Sequence, residues 1–120
     1  MNWLKSYGYA WNGLRKAFVE ERNLKIQASA ASIVIFLGFY FQIIEWEWIA
    51  LLITIGLVIG LELINTAIEN LTDLVTKEHH PLAGKIKDIS AGAVLFAAAI
   101  SVLVGIVIFA KYFKTLIAQF

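Results

Sequence analysis

The sequence has no cysteine and a single proline, Pro81, and only 16% of its 120 residues are charged. Without cysteine there is no disulfide framework, no thiolate zinc site and no thiol nucleophile. The scarcity of charge sets the chain apart from ordinary globular domains, which carry about 25% charged residues. A net charge of +1 excludes a nucleic-acid-binding field. What is abundant is apolar surface: 60% hydrophobic residues and a mean hydropathy of +0.76. A soluble domain this small could not bury so much, because too large a share of it is surface. Disorder is excluded by the same figures. The composition is that of an integral membrane protein.

Two uncharged runs are long enough to cross a bilayer, residues 28–44 and 89–110. A hydrocarbon core of about 30 Å needs about 20 helical residues at 1.5 Å each. A third run begins at Trp48 and continues without Gly or Pro from Leu61 to Val75, so residues 48–75 are expected to form one helix. The fold class is therefore all-α, with three transmembrane helices in a single domain. Residues 1–27 differ. Trp3, Leu4, Tyr7, Trp11, Leu14 and Phe18 recur on one side at helical spacing, with Lys5, Asn12, Arg15 and Lys16 on the other. This pattern predicts an amphipathic surface helix. No secretory signal is expected, since no short apolar core precedes a small-residue cleavage site.

Eight Lys and Arg residues fall in the N-terminal arm and in the segment 76–88, against two near the C-terminus. This asymmetry predicts a cytoplasmic N-terminus, a cytoplasmic 76–88 loop and a C-terminus outside. The Glu45–Trp48 stretch is read as the outer connection. Its tryptophans form an aromatic belt, and Glu45 and Glu47 are expected to be solvated.

Charge inside a span costs at least about 2.5–3.5 kcal/mol per group, which makes such residues functional candidates. Glu62, Asn65, Glu69 and Asp73 are 3, 4 and 4 residues apart. At about 100° per residue they occupy a sector of roughly 80°, one stripe running from the cytoplasmic surface into the membrane. Carboxylates with an amide suit a hard cation such as magnesium. Nearby lie Glu20, Glu21 and Lys25 before the first span, and Glu78, His79, His80, Lys85, Lys87 and Asp88 before the third. Acids and lysines together are the parts that phosphoryl transfer requires. No Gly-x-x-x-x-Gly-Lys loop is present, which excludes a P-loop enzyme. From the residues alone three readings remain: a phosphotransferase, a proton- or cation-coupled transporter using the Glu62/Glu69 stripe, and a scaffold whose stripe joins subunits.

The segment ELINTAIENLTDLV (62–75), followed by HHPLAGKIKDISAGAV (79–94), closely resembles the bacterial diacylglycerol kinase family, which includes undecaprenol kinases. The stretch GYAWNGLRKAFVEERNLKIQ (8–27) is similar to the family's N-terminal region. The resemblance implies an ATP- and magnesium-dependent kinase of a membrane lipid alcohol, diacylglycerol or undecaprenol. It further implies a homotrimer in the bacterial cytoplasmic membrane, with composite sites between subunits. Carried over by motif, Glu62 is the general base, and Glu21 and Glu69 hold the metal. Tyr9, Glu78, His79, His80, Lys87 and Asp88, with Glu21 and Glu69, meet the nucleotide. Asn65 and Asp73 support the site, and Arg15, Lys25 and Gln27 fall where the family meets lipid or phosphate.

Overall fold

A computed structural model describes residues 2–120 as four helices: α1 (Trp3–Glu20), α2 (Arg22–Phe41), α3 (Glu45–Val75) and α4 (Pro81–Ala118). Asn2 starts α1, its side-chain oxygen accepting from the Leu4 N–H at 3.1 Å and so satisfying one of the free donors of the first turn. Glu21, in extended conformation, is the single joint between α1 and α2, and its N–H donates to the Ala17 carbonyl. The chain therefore passes from α1 into α2 directly at an acidic residue. Pro81 occupies the first turn of α4, where a missing N–H costs nothing, and His80 Nδ1 caps that helix by accepting from the Leu82 N–H at 3.1 Å.

Three of these helices, α2, α3 and α4, are long and apolar enough to cross a membrane. The chain is a multi-pass membrane protein with all-helical architecture. The segment 76–88 is only in part an open loop, since α4 already begins at Pro81. At about 1.5 Å per residue α4 is about 57 Å long, close to the 58 Å longest dimension of the molecule. Helix α3 packs chiefly on α4 and also on α2, while α1 touches α2 and α3 lightly. Much apolar surface stays uncovered, including Phe36, Leu95, Phe96 and Val107, as befits helices whose outer faces meet lipid or other helices rather than water.

The turn between α2 and α3 is short. Gln42 takes the left-handed conformation (φ 52°, ψ 54°) and its N–H closes the end of α2. Gly38 lets Trp48 lie against the α2 backbone, where an added Cβ would stand 2.7 Å from the indole ring. Ile43, Leu51, Ile108 and Phe109 form the buried core at this end.

Glu45 is exposed as expected, but Glu47 is not. It is completely buried, accepting hydrogen bonds from the Ile44 backbone N–H at 3.1 Å and from the Tyr112 hydroxyl at 2.5 Å. Lys111 Nζ lies 2.9 Å away and also 5.8 Å from the centre of the Trp46 ring. The cause is twofold. Glu45–Trp48 is the first turn of α3 rather than a connection, so Glu47 shares the Leu51 face that packs on α4. Helix α4 also continues past Ala110, carrying Lys111 and Tyr112 up to that carboxylate.

Candidate active site

The four polar residues of the α3 stripe fall on one face, and their burial grades along it. Glu62 and Asn65 are buried, at 4% and 6% exposure. Glu69 is half-buried and Asp73 exposed. The stripe thus passes from interior to surface as Glu62, Asn65, Glu69, Asp73. Gln27 on α2 reaches across to it, Nε2 donating to Glu62 Oε2 at 3.4 Å. Asn65 Nδ2 donates to Glu69 Oε1 at the same distance. Lys87 on α4 forms an ion pair with Asp73. Both bonds at 3.4 Å are long, so the carboxylates are held loosely and keep lone pairs free.

Two oxygens beside this stripe are buried without any hydrogen-bond partner: Gln27 Oε1 and Asn65 Oδ1. Buried polar atoms are normally paired, and each exception calls for a reason. With the Glu62 and Glu69 carboxylates they make an acceptor-rich patch, which suits a donor or a cation from outside the chain. Among the described residues no three His, Asp or Glu side chains gather closely enough to hold a metal ion by themselves.

Two cavities flank the C-terminal half of α3. The first, about 590 Å³, lies between α1 and α3, with Lys16, Glu20 and Glu21 on one wall and Thr66 and Asn70 on the other. Glu21 is half-buried at the α1–α2 joint. The second, about 310 Å³, sits at the α3–α4 connection and is lined by Asp73, Lys77, Glu78, His79, His80 and Lys87. The structure therefore brings together Asp73, Glu78, His79, His80 and Lys87, and separately Gln27, Glu62, Asn65 and Glu69. Arg15 borders a small surface hollow with Lys16 and Glu20. Tyr9, Lys25 and Asp88 are exposed, outside both groups.

Sequence reasoning did not single out Thr66 or Asn70. Each directly follows a stripe residue, so it lies about 100° round the helix and turns toward α1 instead. The doublets Asn65-Thr66 and Glu69-Asn70 were the available signal.

Three membrane-length helices thus carry a polar stripe, buried at Glu62 and Asn65, that ends at Asp73 in a cavity lined by lysines and histidines. Residues 8–109 match the family Prokaryotic diacylglycerol kinase, and the chain belongs to that family. It is 43% identical over 105 residues to the undecaprenol kinase of Bacillus subtilis (strain 168), covering 88% of this chain and 85% of that protein. It is 28% identical over 110 residues to the diacylglycerol kinase of Escherichia coli (strain K12), covering 92% and 90%. With the diacylglycerol kinase of Haemophilus influenzae (strain ATCC 51907 / DSM 11121 / KW20 / Rd) the identity is 35% over 104 residues, covering 87% and 86%. The chain is accordingly a lipid kinase, with ATP as phosphoryl donor and a lipid as acceptor. The family does not favour the transporter reading.

Proposed function

We propose that the protein transfers the γ-phosphoryl group of ATP to the hydroxyl of a membrane lipid alcohol, diacylglycerol or undecaprenol, at the cytoplasmic interface. The observation that carries this reading is the burial of Glu62 in line with Asn65 and Glu69 on one face of α3. The hydroxyl of a membrane lipid lies at headgroup depth, and ATP arrives from the cytosol. Glu62 is the deepest carboxylate of the stripe, about 10 Å further along the helix than Glu69, and so stands nearest the acyl region.

Glu62 accepts the hydroxyl proton as the lipid oxygen bonds to the γ-phosphorus and the bond to the β-phosphate oxygen breaks, releasing ADP. Gln27 donates a long bond to Glu62 Oε2 and leaves the other oxygen free for the proton. General-base assistance of this kind contributes roughly 10²–10⁴-fold. The rest is positioning, since phosphoryl transfer requires no covalent protein intermediate. Glu78, His79, His80, Lys87 and Asp88, with Tyr9 of the arm, hold the nucleotide, and the cavity of about 310 Å³ supports the placement of four of them. Asp73 orients Lys87 by ion pairing. Arg15 and Lys25 supply positive charge for lipid headgroup or phosphate.

Magnesium commonly takes one or two carboxylates, its own waters and substrate phosphates rather than a closed protein cage. The donors here fit that habit: Glu21 and Glu69 would hold the ion, and the unpaired Oδ1 of Asn65, which bonds Glu69 through its Nδ2, offers a further oxygen. When bound, the ion supplies charge neutralisation at the phosphates. The wide uncovered helix faces support a homotrimer whose sites are completed between subunits. The lysine asymmetry supports a cytoplasmic N-terminus. The exposed Trp3, Tyr7 and Trp11 support α1 lying in the interface, aromatic side toward lipid.

The test is transfer of labelled γ-phosphate from ATP to a panel of lipid alcohols in mixed micelles. The proposal expects labelled phospholipid product that requires magnesium. A pH-gradient-driven uptake into liposomes, with no lipid labelled, would instead restore the transporter reading.

A further inference from the structure

The residue ahead of a helix's first turn is by preference Ser, Thr, Asp or Asn. Helix α4 has a histidine there. His80 is extended (φ −127°, ψ 125°), its carbonyl accepts from the Gly84 N–H at 3.0 Å, and its ring Nδ1 accepts from the Leu82 N–H at 3.1 Å. Pro81 has no N–H, so Leu82 carries the first backbone donor of α4 that lacks a partner within the helix. A ring nitrogen accepts only while it bears no proton. The bond therefore sets the tautomer: Nδ1 is bare, and the hydrogen of the neutral ring is on Nε2.

That cap starts one wall of a cavity. His80, Ala83, Gly84 and Lys87 line the space of about 310 Å³ at the α3–α4 connection, and spacings of 3 and 4 residues put them on one side of the first two turns of α4. These turns have little else to hold them. Gly84 is a poor helix former, and Leu82 and Ile86 are exposed. No acidic residue stands in the first turn to complement the positive helix end. The pair of Lys87 with Asp73 is solvent-accessible and adds little.

We infer that His80 is a pH-sensitive cap for the nucleotide site. Neutral, it holds the start of α4 through Nδ1 and leaves Nε2–H as a donor for the nucleotide. Protonated, it no longer accepts from Leu82, the first two turns of α4 loosen, and the wall that carries Lys87 holds the nucleotide less tightly. The inference rests on reading this cavity as the nucleotide site and adds a control to it. Asparagine makes such a cap at every pH, whereas histidine changes charge between about pH 5 and 8. The charges around the ring largely offset one another. Asp73 of α3 is paired with Lys87 of α4, Lys77 and Glu78 of the connection carry opposite signs, and His79 is the other titratable neighbour. The positive end of α4 acts with the cap against an imidazolium. Because only the neutral ring makes the bond, nucleotide binding is full on the alkaline side and weakens as pH falls.

Two measurements test it, both on the whole protein in mixed micelles. The first is nitrogen NMR of the two imidazole rings without nucleotide, with His79→Asn used to assign the signals. The neutral His80 ring is expected to carry its proton on Nε2; a proton on Nδ1 instead overturns the proposal. The second is equilibrium binding of the β,γ-imido analogue of ATP, with magnesium, between about pH 8 and 5, in the unaltered protein and in His80→Asn. Asparagine keeps the cap and removes the titration, while Glu78, His79 and the nucleotide titrate alike in both proteins and cancel in the ratio. Acidification is expected to weaken binding about fivefold more in the unaltered protein, the worth of one helix cap. An equal effect in both proteins, or tighter binding by the unaltered protein in acid through an imidazolium that clamps phosphate, overturns the proposal and leaves the nucleotide reading standing. No binding by either protein at any pH overturns that reading as well.

Discussion

Replacing Glu47 by alanine should destabilise the protein without touching its chemistry. The carboxylate is wholly buried and serves three partners, so its removal has separable costs. Losing the acceptor for the Ile44 N–H is equivalent to losing a helix cap, about 1 kcal/mol. Losing the charged acceptor of the Tyr112 hydroxyl costs about 1.5–3 kcal/mol. The Lys111 contribution is small, because that side chain is 54% exposed and regains water, which holds such a pair to about 1 kcal/mol or less. A total near 3 kcal/mol follows, most of it from the tyrosine and the cap. The assay is reversible unfolding in mixed micelles, titrated with sodium dodecyl sulfate and followed by tryptophan fluorescence, on Glu47→Ala, Tyr112→Phe and the double variant. The two changes should couple by about 1.5 kcal/mol, because each removes the same bond. The site lies about 22 Å from Glu62 along α3, so turnover of the folded fraction should stay unchanged. A coupling near zero, or a cost for Glu47→Ala below about 0.5 kcal/mol, would refute the reading that the buried Glu47–Tyr112 bond holds this end of α3 against α4.

Gly38→Ala should also destabilise the same end, by about 1–3 kcal/mol, since its Cβ would stand 2.7 Å and 3.0 Å from two Trp48 ring atoms; an unchanged thermal midpoint would contradict that packing. Lys87→Ala should raise the KM for ATP at least about tenfold while costing less than about 1 kcal/mol of stability, because its pair with Asp73 is solvent-accessible. An unchanged KM would remove Lys87 from the nucleotide site. Glu69→Gln should raise the magnesium concentration needed for half-maximal rate by about tenfold, roughly the worth of one charged ligand, and leave the KM for the lipid alone. A shift in the lipid KM instead would place Glu69 on the acceptor side.

Much of this was legible in the chain because membranes impose simple rules. Helices are the only structure that satisfies the backbone in lipid without a barrel, so uncharged runs revealed the spans, and 3- and 4-residue spacing revealed that Glu62, Asn65, Glu69 and Asp73 share one face. Helix ends were harder to read. Arg22 and Lys25 are charged yet helical, and α4 extends at both ends beyond its uncharged run, because a helix may run past the bilayer into water on either side. The misreading of Glu47 has the same root. Its partners Lys111 and Tyr112 are 64 and 65 residues away, and only the true length of α4 brings them near. Likewise Gln27 is 35 residues from Glu62, and periodicity within one helix is silent on contacts between helices.

The central claim is that the buried carboxylate of Glu62 removes the proton of the lipid hydroxyl. Glu62→Gln keeps the shape and the neighbours and removes the base, so single-turnover phosphorylation of the lipid alcohol is its most direct measure. The account predicts a fall in rate of about 10²–10⁴-fold with ATP binding, helical content and unfolding midpoint retained. Turnover within a fewfold of the unaltered protein would contradict it.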